Sequence, residues 1–271
     1  MSGLDFCLRA IGLWAPGYPD LSAWRGRPAD CPQDQGAIPR AELLPPMMRR
    51  RTSLLTRMVA EVVVQATRDW PGLARERPAL DLARIPLVYG SVYGEIRTTV
   101  DLLAALLVPG EPLSPTKFHN SVHNTAAGYI SIATGNRVGD SVLAAGRSTP
   151  AMALLEGVTL VHTRGGDAIV VVAEEPLPEP LAAGRRYGPF AVAFAISAPD
   201  CSDSYARRCR LVRGSSADGP ALRPLPAWLA DSPCAAALLA ADALAEPAAG
   251  RVALEPHLPS GWLCEFGPFP S

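Results

Sequence analysis

The sequence predicts a layered α/β protein with parallel strands. Residues 168–173 form a continuous run of small and β-branched side chains, which is typical of a strand buried on both faces. Apolar side chains from Leu54 to Ala66 recur with the spacing of one helical face. Further strands alternate with helices of about 15 residues along the chain. This alternation is the pattern of a sheet that is covered by helices.

The first third of the chain predicts a strand, a long loop and a helix. Residues 5–14 have the apolar and aromatic character of a strand, and the segment APGYPD closes it as a turn. Residues 15–48 carry many prolines and glycines and little periodicity, so we expect a long ordered loop. The helix over residues 54–66 needs a sheet or another helix to cover its apolar stripe.

The middle of the chain predicts a further series of strands and helices. The apolar run Ile85–Tyr89 stops at Gly90, and helical spacing resumes from Tyr93 to Val108. A third helix should start between Asn120 and Asn124 and continue through AAGYISIATG. The later elements are a strand, a helix and two strands, at residues 141–145, 150–163, 168–173 and 190–196.

The composition of the chain changes at about Asp200. Residues 201–228 are rich in turn formers, Cys234–Leu244 predicts a helix, and the last 20 residues predict at most short strands. We therefore expect two regions: a main domain at residues 1–199, and a divergent region at residues 200–271 that completes or covers the sheet.

Composition excludes several classes of protein. Hydrophobic residues make up 48% and charged residues 19% of the chain, and the net charge of -1 disfavours disorder and a basic nucleic-acid binder. The longest apolar run, Cys234–Ala241, is far shorter than the ~18 residues that cross a bilayer. The N-terminus lacks a secretory signal, and the six cysteines are dispersed without CxxC spacing. We expect a cytoplasmic protein with reduced thiols, no membrane span, no metal and no cofactor.

The segment Ser114–Asn124 is the most unusual local string. It holds two of the four histidines and the only lysine of the chain. His119 and His123 are four residues apart and would share a helix face, as metal-binding or acid/base pairs do. The string is not an HExxH motif and offers no third ligand, whereas Asn120 and Asn124 are good N-cap residues. We therefore favour a packed, hydrogen-bonded helix start over a metal site.

A second candidate is the junction of a strand and a helix at residues 142–150. A nucleophile at such an elbow is exposed, and the helix N-terminus supplies amide donors for an oxyanion. The string GRSTP contains no cysteine and is not GxSxG. Ser148 or Thr149 is better explained as the cap of a helix that begins at Pro150.

Two further motifs have weaker functional interpretations. Arg49, Arg50 and Arg51, at the start of the first long helix, could hold an acidic partner or a phosphate, although such a run is more often a solvated face. The glycines between Gly90 and Gly94 form neither GxGxxG nor a P-loop, so nucleotide binding is not expected.

These motifs, in this order, resemble those of the β-ketoacyl synthase-like N-terminal domain family, and specifically the short chain length factors of aryl polyene and related clusters. The resemblance spans residues 5–198 and rests above all on the block SPTKFHNSVHNTAAGYISIATG at 114–135. The other matching strings are GLWAPG at 12–17, LPP at 44–46 with RRR at 49–51, VYGS at 88–91 with GE at 94–95, and LLEG at 154–157.

The resemblance implies an α/β, thiolase-like fold, mainly the N-terminal half of a ketosynthase with a short divergent C-terminal extension. In ketosynthases a catalytic cysteine occupies the elbow, which falls here at Gly146, Arg147 and Ser148, where there is no cysteine. The histidine strings HGT and GH of the second half are absent, and residues 200–271 are too few for an equivalent half. The resemblance therefore implies a catalytically silent subunit of a cysteine-containing ketosynthase in aryl polyene, fatty acid or polyketide biosynthesis.

The resemblance also implies an interface. In chain length factors the matching surface pairs with the ketosynthase and helps to close the far end of its acyl tunnel. Bulk at this surface would come from Phe118, Val122, Tyr129 and Ile130. Close approach of the two backbones would be permitted by Ala126, Ala127 and Gly128. The helix start would be fixed, and the subunits bridged, by His119, Asn120, Ser121, His123 and Asn124.

Two alternatives to this function stay open. One is a stand-alone acyltransferase or thioesterase that uses Ser148 with His123. The other is a scaffold that docks acyl carrier protein through Arg49, Arg50 and Arg51. A half-thiolase leaves helix faces uncovered, so we expect the isolated chain to form a homodimer or to aggregate.

Overall fold

The computed structural model describes residues 3–28, 36–68, 80–110, 112–200, 206–216 and 223–268. The strands of these residues form one open sheet with the order β3-β2-β4-β5-β1-β6-β8-β7. In chain order the strands are β1 Leu4–Trp14, β2 Leu87–Gly90, β3 Asp140–Leu143, β4 Asp167–Glu174, β5 Phe190–Ser197, β6 Arg207–Ser215, β7 Gly250–Ala253 and β8 Ser260–Phe266.

Helices cover the sheet, and short helices occupy the connections. In chain order they are α1 Leu21–Arg25, α2 Pro46–Arg49, α3 Leu54–Thr67, α4 Ile96–Leu106, α5 Pro115–His119, α6 Thr125–Thr134, α7 Thr149–Arg164, α8 Ala227–Ala230 and α9 Ala235–Leu244, with a 3₁₀ turn at Gly146–Ser148. The two short helices α1 and α2 lie within the segment that was expected to be a loop.

The two long helices α3 and α7 pack on opposite faces of the sheet. Gly12 of β1 lies against the backbone of α3 at Val62, and its sheet neighbour Ala193 has the same orientation. Gly157 of α7 lies against Val170 of β4 and Ile196 of β5. Because successive side chains of a strand alternate between faces, residues 193 and 196 point in opposite directions. The result is a three-layer α/β/α arrangement whose core runs along both faces of β4 and β5.

The sheet is only partly parallel, which corrects the expectation of parallel strands. β2 runs parallel to β3 and β4, but β5, β1, β6, β8 and β7 pair antiparallel with their neighbours. Parallel neighbours need a crossover, usually a helix. The connection between β4 and β5, at residues 175–189, contains no crossover helix, and β5 runs back along β4 as its antiparallel neighbour.

The C-terminal residues continue the same sheet. β6 pairs with β1 and β8, and α9 contacts β7 and β5. A buried ion pair joins this region to the N-terminal one: Arg27 Nη2 lies 2.6 Å from Asp242 Oδ2, and Trp24 Nε1 donates to Asp242 Oδ1 at 2.8 Å. At most short strands were expected where β7 and β8 lie, and no strand was expected at β6.

Neither a membrane-spanning helix nor a metal-binding cluster occurs among the described residues. None of the helices in these ranges has the length and apolar composition needed to cross a membrane. Within the same ranges, no group of three or more His, Cys, Asp or Glu side chains has an arrangement that would hold a metal ion.

Candidate functional site

The elbow between β3 and α7 is a short, pinned turn. Gly146 has a positive φ of 56°, a backbone conformation that glycine adopts without steric cost. The buried Thr149 hydroxyl accepts from the amide of Ala145 at 2.9 Å and donates to the carbonyl of Gly146 at 2.7 Å. These two bonds fix the turn from the inside, and Arg147 is left exposed at its tip.

The expected helix cap at the elbow is wrong in detail. α7 begins at Thr149, one residue before Pro150, and Ser148 occupies the cap position without a side-chain capping bond. Thr149 is buried and its hydroxyl is directed to the backbone of the elbow. The Ser/Thr-Pro pattern therefore marks the start of the helix to within one residue, but neither hydroxyl group accepts the hydrogen bond from a helix amide that a cap would make.

The structure does not bring Ser148 and His123 together as a nucleophile and base. His123 Nε2 lies 2.9 Å from the carbonyl oxygen of Ser91, and its ring lies against Gly94 and 6.2 Å from the Tyr89 ring. Within the described part of the chain, Ser148 makes no side-chain hydrogen bond. A serine nucleophile needs a base within about 2.6–3.2 Å, and this elbow shows none in the described ranges.

None of the described cysteines belongs to the elbow turn. They are Cys7, Cys209, Cys234 and Cys264, all buried and free. Burial raises the pKa of the Cys209 and Cys234 thiols well above the ordinary value, so both are held as thiols. Cys31 and Cys201 lie outside the described residues.

The histidine string forms a short helix followed by a turn, so His119 and His123 do not share a helix face, the alternative that the sequence analysis disfavoured. α5 ends at His119, residues 120–124 form a turn, and α6 begins at Thr125. The His119 ring contacts the edge of the Tyr129 ring at 6.3 Å. His119 and His123 therefore have separate environments.

Asn120 fixes this turn, but not as an N-cap. Its Nδ2 donates to the carbonyl of Arg51 at 2.7 Å, and its Oδ1 accepts from the Tyr129 hydroxyl at 3.0 Å. Asn124 stands at the N-cap position of α6 without a capping bond. Ser121 Oγ donates to the carbonyl of Phe118. The turn is thus tied to the segment that precedes α3.

The residues expected to meet a partner divide into exposed and buried sets. Phe118 is 68% exposed and Val122 is 48% exposed. Ile130 is 4% exposed and, like Ala126 and Ala127, it belongs to the chain's own core. The side of Gly128 where a Cβ would sit is open, and Tyr129 is half-buried. Phe118 and Val122 are therefore the large side chains of this set that a partner can reach.

Exposed large hydrophobic side chains are concentrated in the same part of the chain as these two residues. Nine of the twelve exposed large hydrophobic side chains of the described residues lie between positions 103 and 138. We call the main part of this group, defined by Leu103, Leu106, Leu107, Phe118, Val122 and Ile132, the α4–α6 face. α4 has one buried residue, Leu102, and its other leucines are in water. The sequence signal was present, because residues 102–108 are all apolar and so exceed the single stripe that one buried helix face needs.

A cluster of buried carboxyl groups lies at the start of α4. Glu174 is the last residue of β4, Glu175 directly follows it, and Glu95 directly precedes α4. All three are buried. Glu174 Oε1 accepts from the Ser91 hydroxyl at 3.0 Å and from the amide of Val92. The cluster was missed from the sequence, although two adjacent glutamates after a buried strand are an unusual signal.

The same carboxyl groups bind α4 to its neighbours. Glu95 Oε1 accepts from the hydroxyls of Ser53 and Thr56 of the α3 start, both at 2.7 Å. Glu175 Oε1 accepts from the amide of Arg97 at 3.2 Å. Burial raises the pKa of Glu174 to about 7, and burial together with the charge of Glu95 raises the pKa of Glu175 to about 8. The start of α4 is therefore held in part by Glu175, a carboxyl group whose pKa lies well above its ordinary value.

The three arginines end α2 and do not begin α3. α2 ends at Arg49, whose Nη1 donates to the carbonyl of Arg40 at 2.9 Å, and α3 is capped by Ser53. Arg50 and Arg51 are exposed. The triplet thus offers two exposed cations, Arg50 and Arg51, without an acidic partner among the described residues, where the sequence suggested three at a helix start.

A three-layer fold with an elbow of this kind defines a ketosynthase-like protein. The chain belongs to the β-ketoacyl synthase N-terminal domain family, whose model matches residues 21–222. Its fold is the thiolase-like fold of ketosynthase domains. No curated protein matches the sequence.

Similar solved structures agree with this family. One is a chain of the complex between the ketosynthase ApeO and its chain length factor ApeC from Xenorhabdus doucetiae, with a TM-score of 0.67 and 21% identity over 97% of this chain and 99% of that chain. Another is the ishigamide ketosynthase/chain length factor, with a TM-score of 0.60 and 15% identity over 79% of this chain and 68% of that chain. A third is the complex of AntDE with AntF, a type II PKS acyl-carrier protein with its ketosynthase, with a TM-score of 0.57 and 13% identity over 79% and 70% of the two chains.

Proposed function

We propose that the chain is a non-catalytic, chain length factor-like subunit that pairs with a cysteine-containing ketosynthase. The observation that carries this proposal is the elbow, where Gly146, Arg147 and Ser148 occupy the turn at which the family places its nucleophile. Condensation of acyl thioesters needs a thiolate and donors that stabilise the enolate. The guanidinium of Arg147 is an exposed cation and cannot form a thioester.

The exposed hydrophobic side chains of the α4–α6 face are a second reason to expect a large protein partner. Leu103 and Leu107 of α4 are exposed, and Phe118 and Val122 extend the apolar surface beyond α4. Monomeric proteins rarely expose contiguous apolar patches of more than a few hundred Å². Permanent complexes cover such surfaces with apolar interfaces of about 2,000 Å² or more.

The outermost strand β3 offers a second mode of contact. Within the described residues β3 pairs with β2 on one side, so its other side is free to accept a strand. An exposed edge strand is a template for pairing with another chain. Val138, which precedes β3, and Ile132 of α6 are exposed on the same part of the chain. A partner that covers the α4–α6 face would therefore also protect this edge.

The structure of the face suggests how the subunit acts on its partner. Phe118 and Val122 would close the far end of the partner's acyl tunnel by bulk and shape, with Tyr129 behind them, and the exposed Arg50 and Arg51 would attract an acidic acyl carrier protein. The products would be aryl polyenes, fatty acids or polyketides, made in the cytoplasm. Without the ketosynthase, the chain would pair with itself or aggregate through the same face.

Co-purification tests the pairing. The chain is coexpressed with the ketosynthase encoded beside it, and recovery of the two proteins through a tag on one of them is compared between variants. Leu107→Asp and Phe118→Asp should abolish recovery, since each places a charge in an apolar interface. Leu181→Asp, at an exposed hydrophobic position outside the face, is the matched control and should leave recovery unchanged.

The outcome is decisive in either direction. Equal recovery of the wild type, Leu107→Asp and Leu181→Asp proteins would remove the α4–α6 face from the account. A complex with shortened or lengthened products in Phe118→Ala would support the tunnel role. Products of unchanged length in that variant would show that the chain stabilises the ketosynthase without shaping its tunnel.

A further inference from the structure

A cavity of about 280 Å³ lies where the elbow meets the C-terminal region. Arg147 at the tip of the elbow forms one wall, and the start of α9 forms a second through Ala235 and Ala236. Pro256 and His257, from the loop between β7 and β8, contribute the third. This volume is close to the lower end of the ~300–1,000 Å³ that is typical of small-molecule sites.

The charge of the cavity favours an anion. Its lining contains Arg147 and His257 and no carboxylate. In the described ranges the guanidinium of Arg147 forms no ion pair, whereas Arg9, Arg27 and Arg213 are each paired with an acidic side chain. A free guanidinium fork matches the two oxygens of a carboxylate or phosphate.

The start of one helix adds to this field. Arg147 lies two residues before α7, which has 16 residues, and α9, which has 10, begins at Ala235 in another wall. The N-termini of helices carry partial positive charge and free amide donors. The amide of Ala236, in the first turn of α9, has no acceptor among the described backbone groups. The start of α9, which lines the cavity, therefore adds positive potential to that of Arg147.

The remaining walls decide between classes of anion. Leu225, Leu239, Pro233 and Pro256 are apolar and suit a hydrocarbon chain. We propose that this cavity binds a small aliphatic carboxylate, whose oxygens are held by Arg147 and His257 and whose chain lies against the leucines and prolines. The site does not depend on the proposed pairing with a ketosynthase, because all its walls belong to this chain.

Titration of the full-length chain with hexanoate tests the site, with hexanamide as the neutral analogue of the same shape and inorganic phosphate as the competing anion. Binding is followed by ligand-observed NMR, and millimolar affinity is expected for so small a ligand. Arg147→Met should weaken hexanoate binding about tenfold or more, since a charge-assisted bond is lost. Arg251→Met, at an arginine of a different surface cleft, should leave binding unchanged.

Each result supports or overturns the site. Hexanoate binding that is lost in Arg147→Met and retained in Arg251→Met, together with no binding of hexanamide, supports it. Equal binding of hexanamide, equal loss in both variants, or tighter binding of phosphate than hexanoate overturns it. His257→Gln gives a second readout and should weaken binding less than Arg147→Met. A failed titration would leave the partner interface untouched, so the two proposals fail separately.

Discussion

Replacing Glu175 with glutamine should remove much of the stability loss that the protein shows as the pH rises from 4.5 towards 8. Burial and the nearby Glu95 raise the pKa of Glu175 from 4.5 to about 8, and burial raises that of Glu174 to about 7. The folded protein therefore holds protons that the unfolded chain releases above pH 4.5. The contribution of these two carboxyl groups to the free energy of unfolding is highest below pH 4.5 and falls as the pH rises. It levels off once the carboxyl groups of the folded protein have also ionised.

The size of the effect follows from the number of protons. Each proton that is bound only in the folded state gives a slope of about 1.4 kcal/mol per pH unit. Glu174 and Glu175 together give up to twice that slope between pH 4.5 and 7, and Glu175 alone contributes between 7 and 8. Glutamine keeps the acceptor that Glu175 presents to the amide of Arg97, but it does not ionise.

Urea unfolding at closely spaced pH values measures this slope for the wild type, Glu174→Gln and Glu175→Gln proteins. Each variant should show a shallower slope, and the double variant the shallowest, with a residual slope from Glu95 and Asp140, whose pKa values burial also raises. Glu246→Gln, at an exposed carboxylate, is the control and should follow the wild type. Identical slopes for the wild type and the double variant would refute the argument that these carboxyls are protonated in the folded protein.

Two further predictions concern packing and the link between the N- and C-terminal regions. Gly12→Ala should destabilise the fold by about 1–3 kcal/mol, because its Cβ would meet the Val62 carbonyl, whereas Gly128→Ala, with open space around it, should be neutral or slightly stabilising in thermal unfolding. Asp242→Ala should cost about 3–5 kcal/mol in chemical unfolding because it leaves Arg27 buried and unpaired, while Glu246→Ala should cost at most about 1 kcal/mol. Equal effects within either pair would contradict its explanation.

The sequence predicted the elements that bury an apolar stripe or run. α3, α7, β4 and β5 lie close to their expected positions, because hydrophobic periodicity is a local property. β6 escaped prediction because arginines alternate along it, and its partners β1 and β8 are distant in the chain. Arg207 is buried and donates to the carbonyls of Leu244 and Gly267, whereas the sequence alone predicts a surface residue at an arginine.

The junction of a strand and a helix at residues 142–150 was predicted, but the hydrogen bonds within it were not. The elbow lies at Gly146–Ser148 as expected, but the orientation of the Thr149 hydroxyl depends on the exact turn. The pairing of His119 with His123 failed because a turn at residues 120–124 interrupts the helical spacing. The cavity at Arg147 could not be foreseen, since its other walls come from residues more than 75 positions further along the chain.

The central claim is that this chain pairs with a ketosynthase and carries no acyl intermediate itself. Intact-mass spectrometry under native conditions tests both parts on the coexpressed pair after incubation with an acyl thioester. The account predicts a one-to-one complex in which the acyl adduct lies on the partner's cysteine. Separate homodimers, or an adduct on this chain, would contradict it.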